Sequence, residues 1–283
     1  MPIIGAHVSS AGGLNKSIKN GEDLGVESIQ IFGASPRQWK ASLPSDKDVK
    51  DFLIARKESN IKSIFLHAAY LVNVASPDED IWNKSIENLS KHYQIADMIK
   101  ADGLIFHVGS AKGSDKKEAE GRMIKGIKNV LKNVLTDKTF LIMENTAGGG
   151  DKLGTNLEDF GQIIKGVDST RIGACFDTAH ALAGGTIEEY TPSNIEELFN
   201  NWEKYIGIDK LMVIHANDSK TEFNSNSDRH ENIGEGFIGK KGFENLAKEK
   251  RIKKLPWILE VPGFDNHGPD KKNVDILKSL VLK

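Results

Sequence analysis

Eight times along this 283-residue chain, a short, continuously apolar run gives way to a longer stretch with helical periodicity. The apolar runs are Ile3–Val8, Ser28–Phe32, Ser63–Leu66, Gly103–Phe106, Phe140–Met143, Ile172–Phe176, Leu211–Ile214 and Trp257–Leu259. Each is too short for a surface helix, and unbroken apolarity fits parallel strands covered on both faces. Lys84–Ile99 is the clearest helical stretch, with Ile86, Leu89, Tyr93, Ala96 and Ile99 at helical spacing. The others are Leu14–Leu24, Asp48–Glu58, Lys116–Leu135, Leu157–Ile164, Ile195–Tyr205, Phe243–Lys248 and Asn273–Leu282. Helix-start signals stand at Ser45, at Asn156 with Asp159 three residues on, and at Ser193 with Glu196. Eight β-α units in this length predict an α/β fold: one (β/α)8 TIM-type barrel, a single domain over residues 1–283. An open doubly wound sheet is the competing architecture.

Composition narrows the class. A hydrophobic share of 39% and a charged share of 28% describe a globular protein with an ample core. The formal net charge of -2 gives no bulk attraction to a polyanion. Three bound divalent ions would raise that charge to about +4, so the bare sequence understates such attraction. The single cysteine, Cys175, excludes an internal disulfide and reads as a buried strand residue. The opening MPIIGAHVSS lacks the basic-then-apolar pattern of a signal peptide, and no apolar run is long enough to span a bilayer. The expectation is a cytoplasmic protein without a membrane partner.

In a barrel of this kind, chemistry sits at the carboxyl ends of the strands. His67, His107, Glu144, Asp177, His215 and Glu260 each stand at or just after the end of strands three through eight. A lone strand-end histidine is more often structural, but six such donors on six strands form a concentration. Asp177 and His180 are three apart, and share a side if the chain turns helical there. Asp228 and His230 are two apart, on one face of an extended segment. Nine oxygen and imidazole donors exceed what one ion holds and suit zinc or manganese. A cluster of two or three ions points to hydrolysis of a phosphate ester. Asn145, Asn217 and Asp218 follow these donors and are candidates for orienting them. Gly148–Gly150 lacks the Lys-Ser/Thr of a phosphate loop and reads as a flexible turn.

Eight colinear segments carry a resemblance: GAHVSSAGGL (5–14), RQW (37–39), FHVGS (106–110), ENTAGGG (144–150), FDTAHALAGG (176–185), HANDSK (215–220), DRHENIGEGFIG (228–239) and LEVPG (259–263). The chain resembles the endonuclease IV family, zinc-dependent abasic-site endonucleases of DNA base-excision repair. The resemblance implies a TIM-type barrel holding three zinc ions, with manganese as a possible occupant. His67, His107 and Glu144 would hold the first ion. Glu144, Asp177, His215 and Glu260 would hold the second, and His180, Asp228 and His230 the third. It implies hydrolysis of the phosphodiester 5′ to an abasic site, leaving a 3′-hydroxyl and a 5′-deoxyribose phosphate, with Glu260 and Glu144 as catalytic carboxylates. Trimming of blocked 3′ ends is a further implied activity.

Arg37 and Gln38 match the family's DNA-inserting loop, and Tyr70 and Leu71 match a second one, on double-stranded DNA whose missing base lowers the cost of flipping. Trp39 reads as packing. The implied enzyme works as a monomer, near the nucleoid if the source is bacterial. Val108, the pair Ala68 and Ala69, and Val261 depart from the residues common in bacterial members. None is a ligand, but the alanine pair bears on DNA contact. His7 reads as packing or ligand support, and His92 and His267 as surface residues. The competing function is a metal-dependent sugar isomerase or epimerase of a related barrel family. It would need fewer ligands and no Arg37 or Tyr70 loops.

Overall fold

Each apolar run is a parallel strand, and the strands close on themselves. The computed structural model describes residues 1–136 and 138–281. Strands β1 (Ile3–His7), β2 (Ser28–Phe32), β3 (Ser63–His67), β4 (Gly103–His107), β5 (Phe140–Glu144), β6 (Ile172–Asp177) and β7 (Leu211–His215) follow one another around the barrel. Two short strands, β8 (Asp218–Ser219) and β9 (His230–Glu231), pair antiparallel outside it. Strand β10 (Pro256–Leu259) pairs with both β7 and β1 and completes the circle. The fold is the expected (β/α)8 barrel.

Strand pleating sorts the side chains. Phe65, Ile105, Ile142, Cys175, Val213 and Ile258 form one apolar cluster, the plug inside the barrel. Their neighbours Ile64, Leu66, Leu104, Phe106, Leu141, Phe176, Ile214 and Leu259 belong to a second, larger cluster that packs under the helices. Two residues beyond each plug residue the chain again points inward. Those positions are His67, His107, Glu144, Asp177, His215 and Glu260.

Local chemistry explains the element ends. Helix α2 (Asp46–Glu58) starts at Ser45, which forms a reciprocal capping box with Asp48. Helix α5 (Leu157–Val167) starts at Asn156, whose side chain accepts from the Asp159 N–H. The cap expected at Ser193 lies at Thr191 instead, because Pro192 occupies the first helical position of the helix Pro192–Tyr205. The helix expected to open at Lys84 runs Glu79–Met98, since Asp78 caps it and a charged first turn hides its start. The segment expected as Phe243–Lys248 is helical over Gly239–Leu246. The last helix spans Lys271–Val281, and Leu282 lies outside the described residues. Strands β3 to β7 outrun their apolar runs by one residue because the polar donor at each end still belongs to the ladder. Among the described residues no helix is long and apolar enough to cross a membrane.

The hairpin is tied down by one buried carboxylate. Asp218 accepts from the backbone N–H groups of Gly234 (2.8 Å), Gly236 (3.2 Å), Ile238 (2.9 Å) and Gly239 (3.2 Å). The excursion carrying Asp228 and His230 is thereby held against the barrel mouth. Asp218→Ala would leave these N–H groups without their acceptor, at about 1–3 kcal/mol for each that stays buried. Hydrogen exchange at Gly234, Gly236, Ile238 and Gly239 should then quicken by about tenfold or more, with the barrel strands unchanged. Unchanged exchange at these four amides would show that other contacts hold the segment.

His92 is not a surface residue. It is 0% exposed, on the inner face of the helix Glu79–Met98, and neither ring nitrogen has a hydrogen-bond partner among the described residues. Its helical spacing from Leu89, Tyr93 and Ile95 places it in the core despite its polarity. Burial, with a small contribution from His67, lowers its pKa to about 4. The unfolded chain takes a proton at this residue near pH 6.5, the folded chain only near pH 4. Stability is therefore full above pH 6.5 and drains as pH falls toward 4, by about 3 kcal/mol. In denaturant titrations, His92→Leu should lose less stability than wild type over that interval. Parallel pH curves would refute this.

Candidate metal centre

Each of the eight barrel strands carries an inward polar side chain at or near its carboxyl end: His7, Gln30, His67, His107, Glu144, Asp177, His215 and Glu260. Gln30 is the member that sequence reasoning missed. Its signal was its place two residues after the inward Ser28. After Asp177 the chain does turn helical over Thr178–Ala183, with the Asp177 side chain accepting from the His180 N–H at 2.7 Å.

Glu144 is the hub. It is 0% exposed. Its Oε2 lies 3.3 Å from His67 Nε2 and 3.2 Å from His107 Nε2. Its Oε1 lies 2.9 Å from His215 Nδ1 and 3.3 Å from His180 Nδ1. Glu260 Oε2 comes within 3.1 Å of His215 Nδ1. The structure thus brings together donor atoms of His67, His107 and Glu144, and separately those of Glu144, Asp177, His215 and Glu260, each group within 4.8 Å. A further group joins Asp177, His180 and His230. Asp228 approaches it, with Oδ1 3.1 Å from His180 Nε2 and 3.5 Å from His230 Nε2.

The ring protons are held away from this centre. His67 Nδ1 meets the Ala68 carbonyl at 2.9 Å, His180 Nδ1 the Asn145 carbonyl at 2.9 Å, and His230 Nδ1 the Glu260 carbonyl at 3.4 Å. A carbonyl only accepts, so each of these nitrogens carries hydrogen and each Nε2 is left with a lone pair. Among the described residues the buried Nε2 atoms of His180 and His230 have no well-aligned hydrogen bond, although Asp228 Oδ1 lies near both. Buried lone pairs aimed among carboxylates need a cation between them. This donor set fits divalent metal ions.

Electrostatics agrees. Burial opposes ionisation of Glu144, yet His215 and His107 hold its carboxyl well below the usual range. Burial likewise opposes charge on Glu260, and His215 and His7 overcome it. For His180, burial is outweighed by Asp177 and Asp228, which push it well above the ordinary imidazole value, a demand for positive charge at Nε2 that either a proton or a metal ion meets. Cys175 lies within 4.8 Å of His215 and Glu144 donors, but burial pushes its thiol up to about 12. It stays protonated and leaves the ligand set to oxygen and nitrogen.

The supporting residues are in place. Asn145 accepts from the Asp177 N–H at 2.7 Å. Asn217 accepts from the Glu260 N–H at 2.7 Å and donates to Asp177 Oδ2 at 2.7 Å. A cleft of about 320 Å³ opens above the cluster between Tyr70, Arg229 and Pro262. Beside it, sharing Tyr70 and Glu260, lies a larger hollow of about 940 Å³. Arg37, Gln38, Tyr70 and Leu71 are exposed on the neighbouring loops after β2 and β3. The Tyr70 N–H donates to the Pro36 carbonyl at 3.2 Å, which ties the two loops together. Trp39 is 37% exposed and its carbonyl accepts from Asn88 at 2.7 Å. Ala68 and Ala69 are buried, so their side chains are off the exposed rim. Gly148, Gly149 and Gly150 all have positive φ, a conformation their lack of Cβ permits.

Known proteins share this architecture. Residues 18–280 match the family profile described as a xylose isomerase-like TIM barrel. A probable endonuclease 4 of Halothermothrix orenii is 39% identical over 276 residues, covering 97% of this chain and 99% of that protein. A probable endonuclease 4 of Aquifex aeolicus is 35% identical, covering 99% and 98%. The crystal structure of endonuclease IV from Thermus thermophilus superposes with a TM-score of 0.88 at 28% identity, over 99% of each chain. A D-tagatose 3-epimerase-like protein superposes with a TM-score of 0.75 at 20% identity, a likeness of fold alone. With near-complete coverage by such relatives, the chain belongs to the endonuclease IV family.

Proposed function

We propose that this protein is a DNA-repair endonuclease that hydrolyses the phosphodiester 5′ to an abasic site in duplex DNA. The products are a 3′-hydroxyl and a 5′-deoxyribose phosphate, and the same hydrolysis clears blocked 3′ ends. The observation that carries this reading is the convergence of nine oxygen and nitrogen donors at the open mouth of the barrel. His67, His107 and Glu144 would hold one zinc ion; Glu144, Asp177, His215 and Glu260 a second; His180, Asp228 and His230 a third. Manganese is an alternative occupant. When bound, these ions supply Lewis-acid polarisation of the phosphate and a nucleophilic water at neutral pH.

The chain's own residues do the rest. Glu260 is kept ionised and aimed by Gln30 and Asn217. It orients the attacking water and receives its proton. An oxygen–phosphorus bond forms as the bond from phosphorus to the 3′-oxygen breaks, and that oxygen takes a proton from solvent and leaves as the hydroxyl. Glu144 would contribute to two of the ion sites, since one of its oxygens faces His67 and His107 and the other His215. Arg37, Gln38, Tyr70 and Leu71 fill the space left by the missing base and hold the duplex open. A phenol ordinarily titrates at about 10, so Tyr70 meets DNA uncharged at neutral pH. The barrel mouth reaches the duplex in a monomer.

Support comes from the endonuclease 4 relatives and from a donor set larger than sugar-moving barrels need. Incubation with abasic duplex and, separately, with common ketoses tests the reading. Scission that chelation abolishes and zinc restores is the expected result; isomerised sugar with uncut DNA would reverse it. Glu260→Gln should keep most of its zinc while kcat falls by about 100-fold or more. Full turnover in that variant would remove Glu260 from the mechanism. Tyr70→Ala should weaken binding to abasic duplex by roughly tenfold and to intact duplex by less than about twofold. Equal losses would make Tyr70 scaffold.

A further inference from the structure

Of the eight inward residues at the top of the barrel, six are proposed ligands, and His7 and Gln30 are not. Gln30 is 0% exposed and uses both ends of its amide. Its Nε2 donates to Glu260 Oε1 at 2.5 Å and to His7 Nδ1 at 3.0 Å. Its Oε1 lies 2.8 Å from His215 Nε2. The orientation of the amide follows from chemistry. An ionised Glu260 offers only lone pairs, so it must meet the NH2 end. That leaves the carbonyl end for His215, and a carbonyl can be met only by an N–H. The His215 proton is therefore on Nε2. Its Nδ1 faces the acids, 2.9 Å from Glu144 Oε1 and 3.1 Å from Glu260 Oε2, and is the nitrogen that would exchange a proton for a metal ion seated there.

His67, His180 and His230 are oriented by backbone carbonyls, which no substitution removes. Among the histidines whose outward nitrogen has a partner in the described residues, His215 is oriented by a side chain. We infer that Gln30 is a positioning residue of the metal centre: one amide on β2 selects the ligating tautomer of His215 on β7 and fixes the carboxylate of Glu260 after β10. The inference rests on the assignment of His215 and Glu260 as ligands under the proposed function.

Gln30→Leu removes all three hydrogen bonds, and Gln30→Met does so while keeping an unbranched chain of similar length. Zinc-loaded wild type and both variants are compared by competition with a chromophoric chelator, by 15N-histidine NMR, and by kcat and KM on abasic duplex. Both variants should hold one ion about 10–100-fold less tightly. The His215 Nε2–H signal should give way to mixed tautomers. kcat should fall while KM stays within about twofold, and the thermal midpoint of the chelated protein should stay at its wild-type value. Wild-type zinc affinity and kcat in either well-folded variant would overturn the inference. So would a loss matched by an equal drop in the midpoint of both chelated variants, which marks packing. If wild type itself holds no zinc at these residues, the metal-centre reading falls first, and this inference with it.

Discussion

Three carboxylates meet inside an apolar barrel, and most of the site's architecture is a response to that. Glu144 and Asp177 have no solvent exposure, and Glu260 is largely covered. Uncompensated charges so placed would cost far more than a domain's net stability. Around them stand imidazoles, of which His67, His180 and His215 turn one nitrogen outward to a carbonyl and the other toward the acids, where positive charge, from a proton or a metal ion, compensates them. The arrangement is costly without cations and self-consistent with them, which makes the centre a place for metal rather than a set of ordinary salt bridges.

What aims the acids and imidazoles is the strand pleat. A period of two carries the chain from plug residue to donor on six strands in succession, as from Phe65 to His67 and from Ile258 to Glu260. The same plug that supports the donors from below keeps water out of the barrel and lowers the local dielectric. The excursion between β8 and β9 adds Asp228 and His230 from outside, and Asp218 pins it by backbone amides. Sugar-epimerase-like barrels share the scaffold at low identity, so the difference in chemistry lies in the donors and loops rather than in the fold.

The barrel was legible because eight apolar runs are short, continuous and evenly interspersed with amphipathic stretches. The six strand-end donors were legible because each directly follows such a run. Other features depended on contacts that a linear reading does not contain. His92 looked like a surface residue because it is polar, whereas its helical spacing puts it in the core. Gln30 sits inside an apolar run where its inward parity was overlooked. Thr191 was passed over for Ser193, whose spacing to Glu196 imitates a cap, although Pro192 marks the true start. The role of Asp218 depends on amides sixteen to twenty-one residues away.

The hydrogen bond from the Tyr70 amide to the Pro36 carbonyl joins two loops that leave different strands. Through it, the turn bearing Arg37 and Gln38 and the turn bearing Tyr70 and Leu71 behave as a single jaw instead of two fingers. Transplanting either one alone into a related barrel would break that latch, so any redesign of what this mouth grips would have to exchange the pair.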